Sequence, residues 1–268
     1  MRPLKVDVDL VLVPVTITDP MNRLVTGLEK DNFQLYEGSS QQEIRTFSSE
    51  DAPVSLGVIF DSSGSMTSKM DRAKEAVIEF FMITFNDEPE TVSDFTNSVD
   101  DIQNKLIFAI PKHRTALLDA IYMGVSKMRQ AKYAKKALLI ISDGGDNHSR
   151  YTENEIKSVV KEADVMIYAI GIYDRYASAM EERLGPQLLS EITELTGGRA
   201  FTTDNPNDLT DVATKIGVEL RNQYVLGYRP AKVVRDGKWR KIKVKLLPPK
   251  GLPPLRVYAR TGYYAPAE

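Results

Sequence analysis

Cysteine is absent from this chain of 268 residues, and histidine occurs only twice, at His113 and His148. The first absence excludes disulfide frameworks, thiolate metal sites and cysteine nucleophiles. The second excludes a multi-histidine zinc centre. Any metal site here must therefore be built mainly from oxygen. Long apolar runs are missing too, and no segment approaches the roughly 18 apolar residues that span a bilayer. The longest near the start, residues 10–15, contains Pro14 and follows Asp7 and Asp9. Those acids stand where a signal peptide needs its apolar centre, and no small-residue cleavage site follows. The chain reads as a soluble piece, either cytoplasmic or already without its export signal; an extracytoplasmic place is favoured in the second case. Charge of one sign is also lacking: 35 Lys and Arg stand against 37 Asp and Glu, a net charge of −2. That balance points away from nucleic acid or an anionic membrane as main partner.

Hydrophobic residues at 42% and charged residues at 27% give a globular composition. The length suits one large domain or two modest ones. Two textures divide it. Residues 5–49 and 223–264 are rich in Val, Tyr, Thr, Pro and Gly, and carry short alternating runs such as Phe33-Gln-Leu-Tyr36 and Lys241-Ile-Lys-Val-Lys-Leu246. Period-two alternation bounded by turn residues predicts half-buried antiparallel strands. The middle alternates strands, predicted at 54–60, 82–85, 137–141, 165–170 and 199–202, with helices at 70–81, 115–128, 153–162, 188–195 and 208–221. Such alternation predicts an α/β domain: a doubly wound, mostly parallel sheet with helices on both faces. This domain, 51–222, is expected to be inserted into a small all-β domain made from 1–50 and 223–268, a β-sandwich in outline. One place is tight. Helix, turn and strand must all fit between Lys69 and Phe85, so the helix is short or a loop is missing between Phe81 and Met82.

In an open parallel sheet, ligands bind beyond the carboxyl ends of the strands. After the strand at 54–60 comes Asp61-Ser62-Ser63-Gly64-Ser65, and after that at 137–141 comes Ser142-Asp143-Gly144-Gly145-Asp146. Between them, Arg114-Thr115 opens an amphipathic helix. Three segments thus deliver carboxylates and hydroxyls, the ligands that hard cations such as Mg²⁺ and Mn²⁺ favour. The competing reading is structural: serines as helix caps, Thr115 as an N-cap and Asp143-Gly144 as an ordinary turn. It requires three coincidences at one sheet edge. Asp146 is placed either as a hydrogen-bond partner of a metal-bound water or as an exposed turn acid.

Asp-x-Ser-x-Ser, then Thr, then Asp-Gly resembles the metal-ion-dependent adhesion site of von Willebrand factor type A domains. The matching residues are Asp61, Ser63, Ser65, Thr115 and Asp143. The resemblance implies a Rossmann-like domain that holds Mg²⁺, with Mn²⁺ or Ca²⁺ as alternatives. Ser63, Ser65 and Thr115 would contact the ion directly, and Asp61 and Asp143 directly or through water. It also implies a sixth position left for a carboxylate of a protein partner, and a last helix, 208–221, of the kind that can move when ligand binds. Val25-Thr-Gly-Leu28, Asp31-Asn-Phe33, Ala52-Pro-Val-Ser-Leu56, Asn222-Gln-Tyr-Val-Leu-Gly-Tyr228 and Ala259-Arg-Thr-Gly-Tyr-Tyr264 are similar to a bacterial group of type-A-related proteins. That likeness covers almost the full length.

Catalysis finds little support. Gly-x-Ser-x-Gly and the P-loop pattern are both absent, and serines committed to a cation are poor partners for His113 or His148. The expectation is a non-enzymatic, cation-dependent adhesion or assembly module. A structural subunit that needs no metal-dependent ligand, and a metal-assisted hydrolase, are the alternatives. The alternate basic positions in Lys238-Trp-Arg-Lys-Ile-Lys-Val-Lys245 read most simply as one solvated strand face.

Overall fold

A computed structural model describes residues 10–49, 51–61, 79–98, 114–172, 180–203, 205 and 208–267. Ser63, Ser65, His113 and the helix expected over 70–78 lie outside the described residues. The alternating segments near the start form β1 (Val11–Thr18), β2 (Phe33–Glu37), β3 (Ser40–Gln42) and β4 (Ile44–Ser48). The middle carries β5 (Val54–Asp61), β6 (Glu79–Phe85), β7 (Pro89–Thr96), α1 (Leu117–Lys127) and β8 (Lys135–Ser142). It continues with α2 (Glu153–Glu162), β9 (Met166–Ile172), α3 (Met180–Thr196), β10 (Ala200–Thr203) and α4 (Leu209–Arg221). Then come β11 (Tyr224–Tyr228), β12 (Trp239–Leu246), β13 (Arg256–Ala259) and β14 (Gly262–Tyr264). The chain divides into two compact units, one of residues 1–50 with 222–268 and one of 51–221.

The first unit is all β, with antiparallel sheets ordered β13-β1-β11-β4 and β14-β12-β2-β3. Alternation puts Val13, Val15, Ile17, Leu35, Leu226 and Ile242 into one apolar core. Within it, the hydroxyls of Tyr228 and Tyr263 both donate to Glu37 Oε2, at 2.8 and 3.1 Å. Because Tyr228 belongs to one sheet and Glu37 to the other, this carboxylate ties the two layers. Burial pushes both phenols up, Tyr263 to about 12. Tyr228→Phe leaves the carboxylate one donor short and is expected to cost about 1–3 kcal/mol. Urea denaturation beside a Tyr36→Phe control would measure it.

In the second unit the sheet order is β10-β9-β8-β5-β6-β7, parallel throughout except for the antiparallel edge strand β7. Every residue of β5 from Val54 to Phe60 is buried, as a strand covered on both faces demands. On one face Ile59, Phe81, Leu138 and Ile167 pack under α1, α2 and α3. On the other, Val58, Met82 and Tyr168 pack under α4 through Leu209, Ile216 and Leu220. There too Arg199, just before β10, forms a buried ion pair with Glu219 of α4.

One expectation needs correction. Residues 79–81 belong to β6 rather than to a helix ending at Phe81. They pair in parallel with β5, Ser55 with Glu79 through Asp61 with Phe85. Phe80 and Phe81 enter opposite cores, which a strand achieves and the expected helical stripe does not. The strand is continuous across Phe81 and Met82, so no missing loop is needed there. β7 went unforeseen because Pro89-Glu-Thr-Val-Ser-Asp-Phe-Thr96 has few apolar residues, as an edge strand permits.

At the amino end of β8, the Lys135 ammonium is buried with no hydrogen-bond partner among the described residues. Desolvation outweighs the attraction of Asp51 and lowers its pKa from 10.5 to about 8. Between those values the unfolded chain binds the additional proton, so stability rises with pH across that interval. Lys135→Met is expected to stabilise the protein at neutral pH by about 1–2 kcal/mol, because it removes a buried unpaired polar group. Denaturation at several pH values should show the gain shrinking as pH climbs from about 8 toward 10.5.

Candidate metal site at the carboxyl edge of the sheet

β5 and β8 are adjacent and parallel, so their last residues, Asp61 and Ser142, emerge at one edge. The buried Ser142 hydroxyl donates to Asp61 Oδ2 at 3.2 Å and accepts the Gly144 N–H at 3.0 Å. Asp143 then turns back, its Oδ1 accepting the Gly145 N–H at 2.8 Å. Gly144 takes φ +80, in the left-handed region, and a Cβ there would stand 2.6 Å from Gly185 Cα in α3. Two residues without side chains thus let the Asp143 loop lie directly on a helix backbone.

The third segment is fixed to the same loop. Thr115 donates its N–H to Asn147 Oδ1 at 3.0 Å, and its carbonyl accepts the N–H groups of Asn147 and His148 at 3.0 and 3.2 Å. Past Thr115, the N-cap position of α1 is Ala116, which has no side chain to offer. Asp146 acts in its place. Its Oδ1 accepts the Leu118 N–H at 3.3 Å and the Ser149 hydroxyl at 2.6 Å, and Ser149 Oγ accepts the Asp119 N–H at 3.1 Å. Asp119 closes the exchange by accepting the N–H groups of Arg150 and Tyr151 at 2.9 and 3.1 Å. Asp146 therefore caps a helix, a role neither sequence reading gave it, and burial pushes its carboxyl up. Asp146→Ala is expected to cost about 1–2 kcal/mol and to speed amide exchange at Leu118 and Asp119.

Among the described residues, no hydrogen bond engages the Thr115 hydroxyl or Asp143 Oδ2, so neither oxygen is spent on capping or on the turn. No group of three or more His, Asp or Glu gathers among the described residues. Two carboxylates with hydroxyls are the oxygen set that a hard cation accepts. Asp61, Thr115 and Asp143 fit that set by donor chemistry; Ser63 and Ser65 lie outside the described residues. His148 is exposed, and its Nε2 lies 3.3 Å from Arg114 Nη1. Sequence reasoning missed Ser142, Asn147 and Gly185. Ser142 was legible as the polar end of an apolar run at a strand terminus. Asn147 and Gly185 act only through the tertiary fold.

A mostly parallel, doubly wound sheet flanked by helices defines an α/β domain of the Rossmann-like kind. The family model for the von Willebrand factor type A domain matches residues 56–215, more than half of the chain, and the chain belongs to that family. Solved structures similar to it include proximal thread matrix protein 1 from the mussel byssus, with a zinc-occupied metal-ion-dependent adhesion site. The similarity is 16% identity with TM-score 0.53, over 69% of this chain and 50% of that one. The von Willebrand domain of the type V pili tip protein Mfa5 from Porphyromonas gingivalis is 13% identical with TM-score 0.51, over 63% of this chain and 95% of that one. A von Willebrand factor type A protein from Catenulispora acidiphila is 11% identical with TM-score 0.50, over 85% of this chain and 75% of that one. No curated protein matches. Among the described residues, no helix is long and apolar enough to cross a membrane.

Proposed function

We propose that the protein is a non-enzymatic, divalent-cation-dependent module that binds a protein partner through a carboxylate of that partner. The observation that carries this reading is the tying of three oxygen-bearing segments at one sheet edge, with no hydrogen bond to the Thr115 hydroxyl or Asp143 Oδ2 among the described residues. In the proposal Asp61, Ser63, Ser65, Thr115 and Asp143 hold Mg²⁺, with Mn²⁺ or Ca²⁺ as substitutes. The bound ion supplies a Lewis-acidic position for an incoming carboxylate. Two site carboxylates roughly neutralise a divalent charge, so an additional anion is accepted without strong repulsion. Ser142 and the loop at 143–149 do the positioning. The metal-occupied site of the mussel protein and the pilus-tip setting of Mfa5 are properties of those proteins. Carried to this chain as part of the proposal, they agree with adhesion or assembly outside the cytoplasm.

Affinity capture from native extract with the immobilised intact chain tests the reading. A partner should be retained with Mg²⁺, lost with chelator, and lost with Thr115→Ala, which is expected to weaken ion binding about 10–100-fold while leaving the core folded. Capture unchanged by chelator would point to a structural subunit instead. Hydrolysis of a broad ester and phosphate panel, abolished by Asp61→Ala, would point to a metal-assisted hydrolase.

A further inference from the structure

Two exposed arginines close to the Thr115 segment have different surroundings. Arg150 Nη2 donates to Glu88 Oε1 at 3.0 Å, so its charge is already met. Arg114, the residue before Thr115, meets no carboxylate among the described residues. It is nonetheless held. Its Nη1 lies 3.3 Å from His148 Nε2, and because a guanidinium only donates, the imidazole accepts. His148 is fixed in turn, since its N–H and that of Asn147 both reach the Thr115 carbonyl, at 3.2 and 3.0 Å. Ordering so long a side chain costs rotamer freedom, which a guanidinium that only faces water has no reason to give up.

A second segment tied to the start of α1 carries the opposite charge. The turn between β6 and β7 is held there, for the Ala116 N–H donates to the Asn86 carbonyl at 2.8 Å. This turn carries Asp87 and Glu88. Thr115 therefore stands between an acidic turn, part of whose charge is met by Arg150, and a guanidinium without a carboxylate among the described residues. Consecutive Cα atoms stand about 3.8 Å apart, so the Arg114 side chain is long enough to reach a ligand seated beside Thr115.

We infer that Arg114 binds a second carboxylate of the partner, so that the partner presents two acidic residues close together in sequence, one for the ion and one for the guanidinium. The inference rests on the cation-dependent binding proposed for this site. A guanidinium grips a carboxylate through two parallel N–H groups, and so adds orientation that an ion alone does not supply. With the acids of the β6–β7 turn it also gives the site a direction. A segment whose second acid lies toward Arg114 is favoured, and the reversed segment meets Asp87 and Glu88. Overall charge gives no reason for a preference for two acids, because the chain carries −2.

The test uses the intact chain with saturating Mg²⁺ at about 150 mM salt, where long-range attraction is screened. The probes are fluorescein-labelled Gly-Ser decapeptides carrying one Asp, or two Asp separated by one or two glycines, read by anisotropy. The better two-acid peptide should bind about threefold or more tighter than the one-acid peptide. Arg114→Gln should bring that ratio below about 1.5-fold, while its affinity for Mn²⁺ and for the one-acid peptide stays within about twofold of the parent. Arg150→Gln removes the same charge from an arginine already paired, and should preserve the ratio. Equal binding of one-acid and two-acid peptides by the parent would overturn the inference. So would a ratio that survives Arg114→Gln, or one that falls equally in Arg150→Gln. Each of these outcomes leaves the proposed function standing. A chain that binds no Mn²⁺, or binds it and retains neither peptide, overturns both.

Discussion

Replacing Arg199 with methionine is expected to cost about 3–5 kcal/mol near pH 8, because it strands a charge inside the protein. Arg199 is 6% exposed and its ion-pair partner Glu219 is 1% exposed, beneath α4. Among the described residues Glu219 Oε2 has no hydrogen-bond partner, so Arg199 is the principal compensation for this carboxylate. Burial already lifts the Glu219 carboxyl above 4.5, against the downward pull of Arg199 and then Lys215. A raised acid pKa means that the folded state holds the proton longer, so this group's contribution to stability declines as pH rises through the window above 4.5. Removing Arg199 takes away the main downward pull and extends that window upward. The cost of Arg199→Met should therefore be smaller at about pH 5 than at about pH 8. Adding Glu219→Leu should recover most of it, since an apolar pair of similar volume needs no compensation. Urea denaturation of the single and double variants at both pH values measures this. A pH-independent cost, with no recovery in the double variant, would show that the loss comes from packing instead.

Gly185→Val should damage the site from a helix that contributes no donor to it. A Cβ on Gly185 would fall far inside van der Waals contact with the Asp143 carbonyl oxygen and 2.9 Å from Gly144 Cα. Both obstacles are backbone, so no side chain can swing away, and the loop that carries Asp143 must move. Overpacking of this kind costs about 1–3 kcal/mol. If Asp143 holds the ion as proposed, displacing its carboxylate is expected to weaken ion binding by at least about tenfold. Gly57→Ala offers the contrast. It crowds side chains of Leu138 and Phe81 within the core, so it should destabilise while sparing ion affinity in the folded fraction. Equal affinity in Gly185→Val and the parent would detach α3 from the site.

The division of labour along the chain was readable wherever burial has a simple period. β5, β8 and β9 are buried on both faces and appear in the sequence as nearly unbroken apolar runs. The terminal strands are buried on one face and alternate. Residues 79–81 misled because Phe80 continues the helical spacing of Ala73, Ala76 and Val77, and only pairing with β5 shows that Phe80 and Phe81 point oppositely. That Asp61 and Asp143 emerge at one edge was readable because an open parallel sheet delivers its strand ends together. What holds them was hidden. Asp146, Asn147 and Ser149 look like generic turn residues until the fold brings them, about thirty residues on in sequence, to the start of α1. Arg199 and Glu219, twenty residues apart, carried no local signal of their pairing.

The central claim is that oxygen atoms at the carboxyl edge of the sheet hold a divalent cation. Titration of Mn²⁺ into the intact, metal-stripped chain, followed by electron paramagnetic resonance of the free ion, tests this most directly. One ion per chain is expected, displaceable by Mg²⁺, with affinity lost in Asp61→Ala and at least about tenfold weaker in Thr115→Ala, both variants remaining folded. A chain that leaves all the manganese free, or an Asp61→Ala variant that binds as the parent does, would contradict the account.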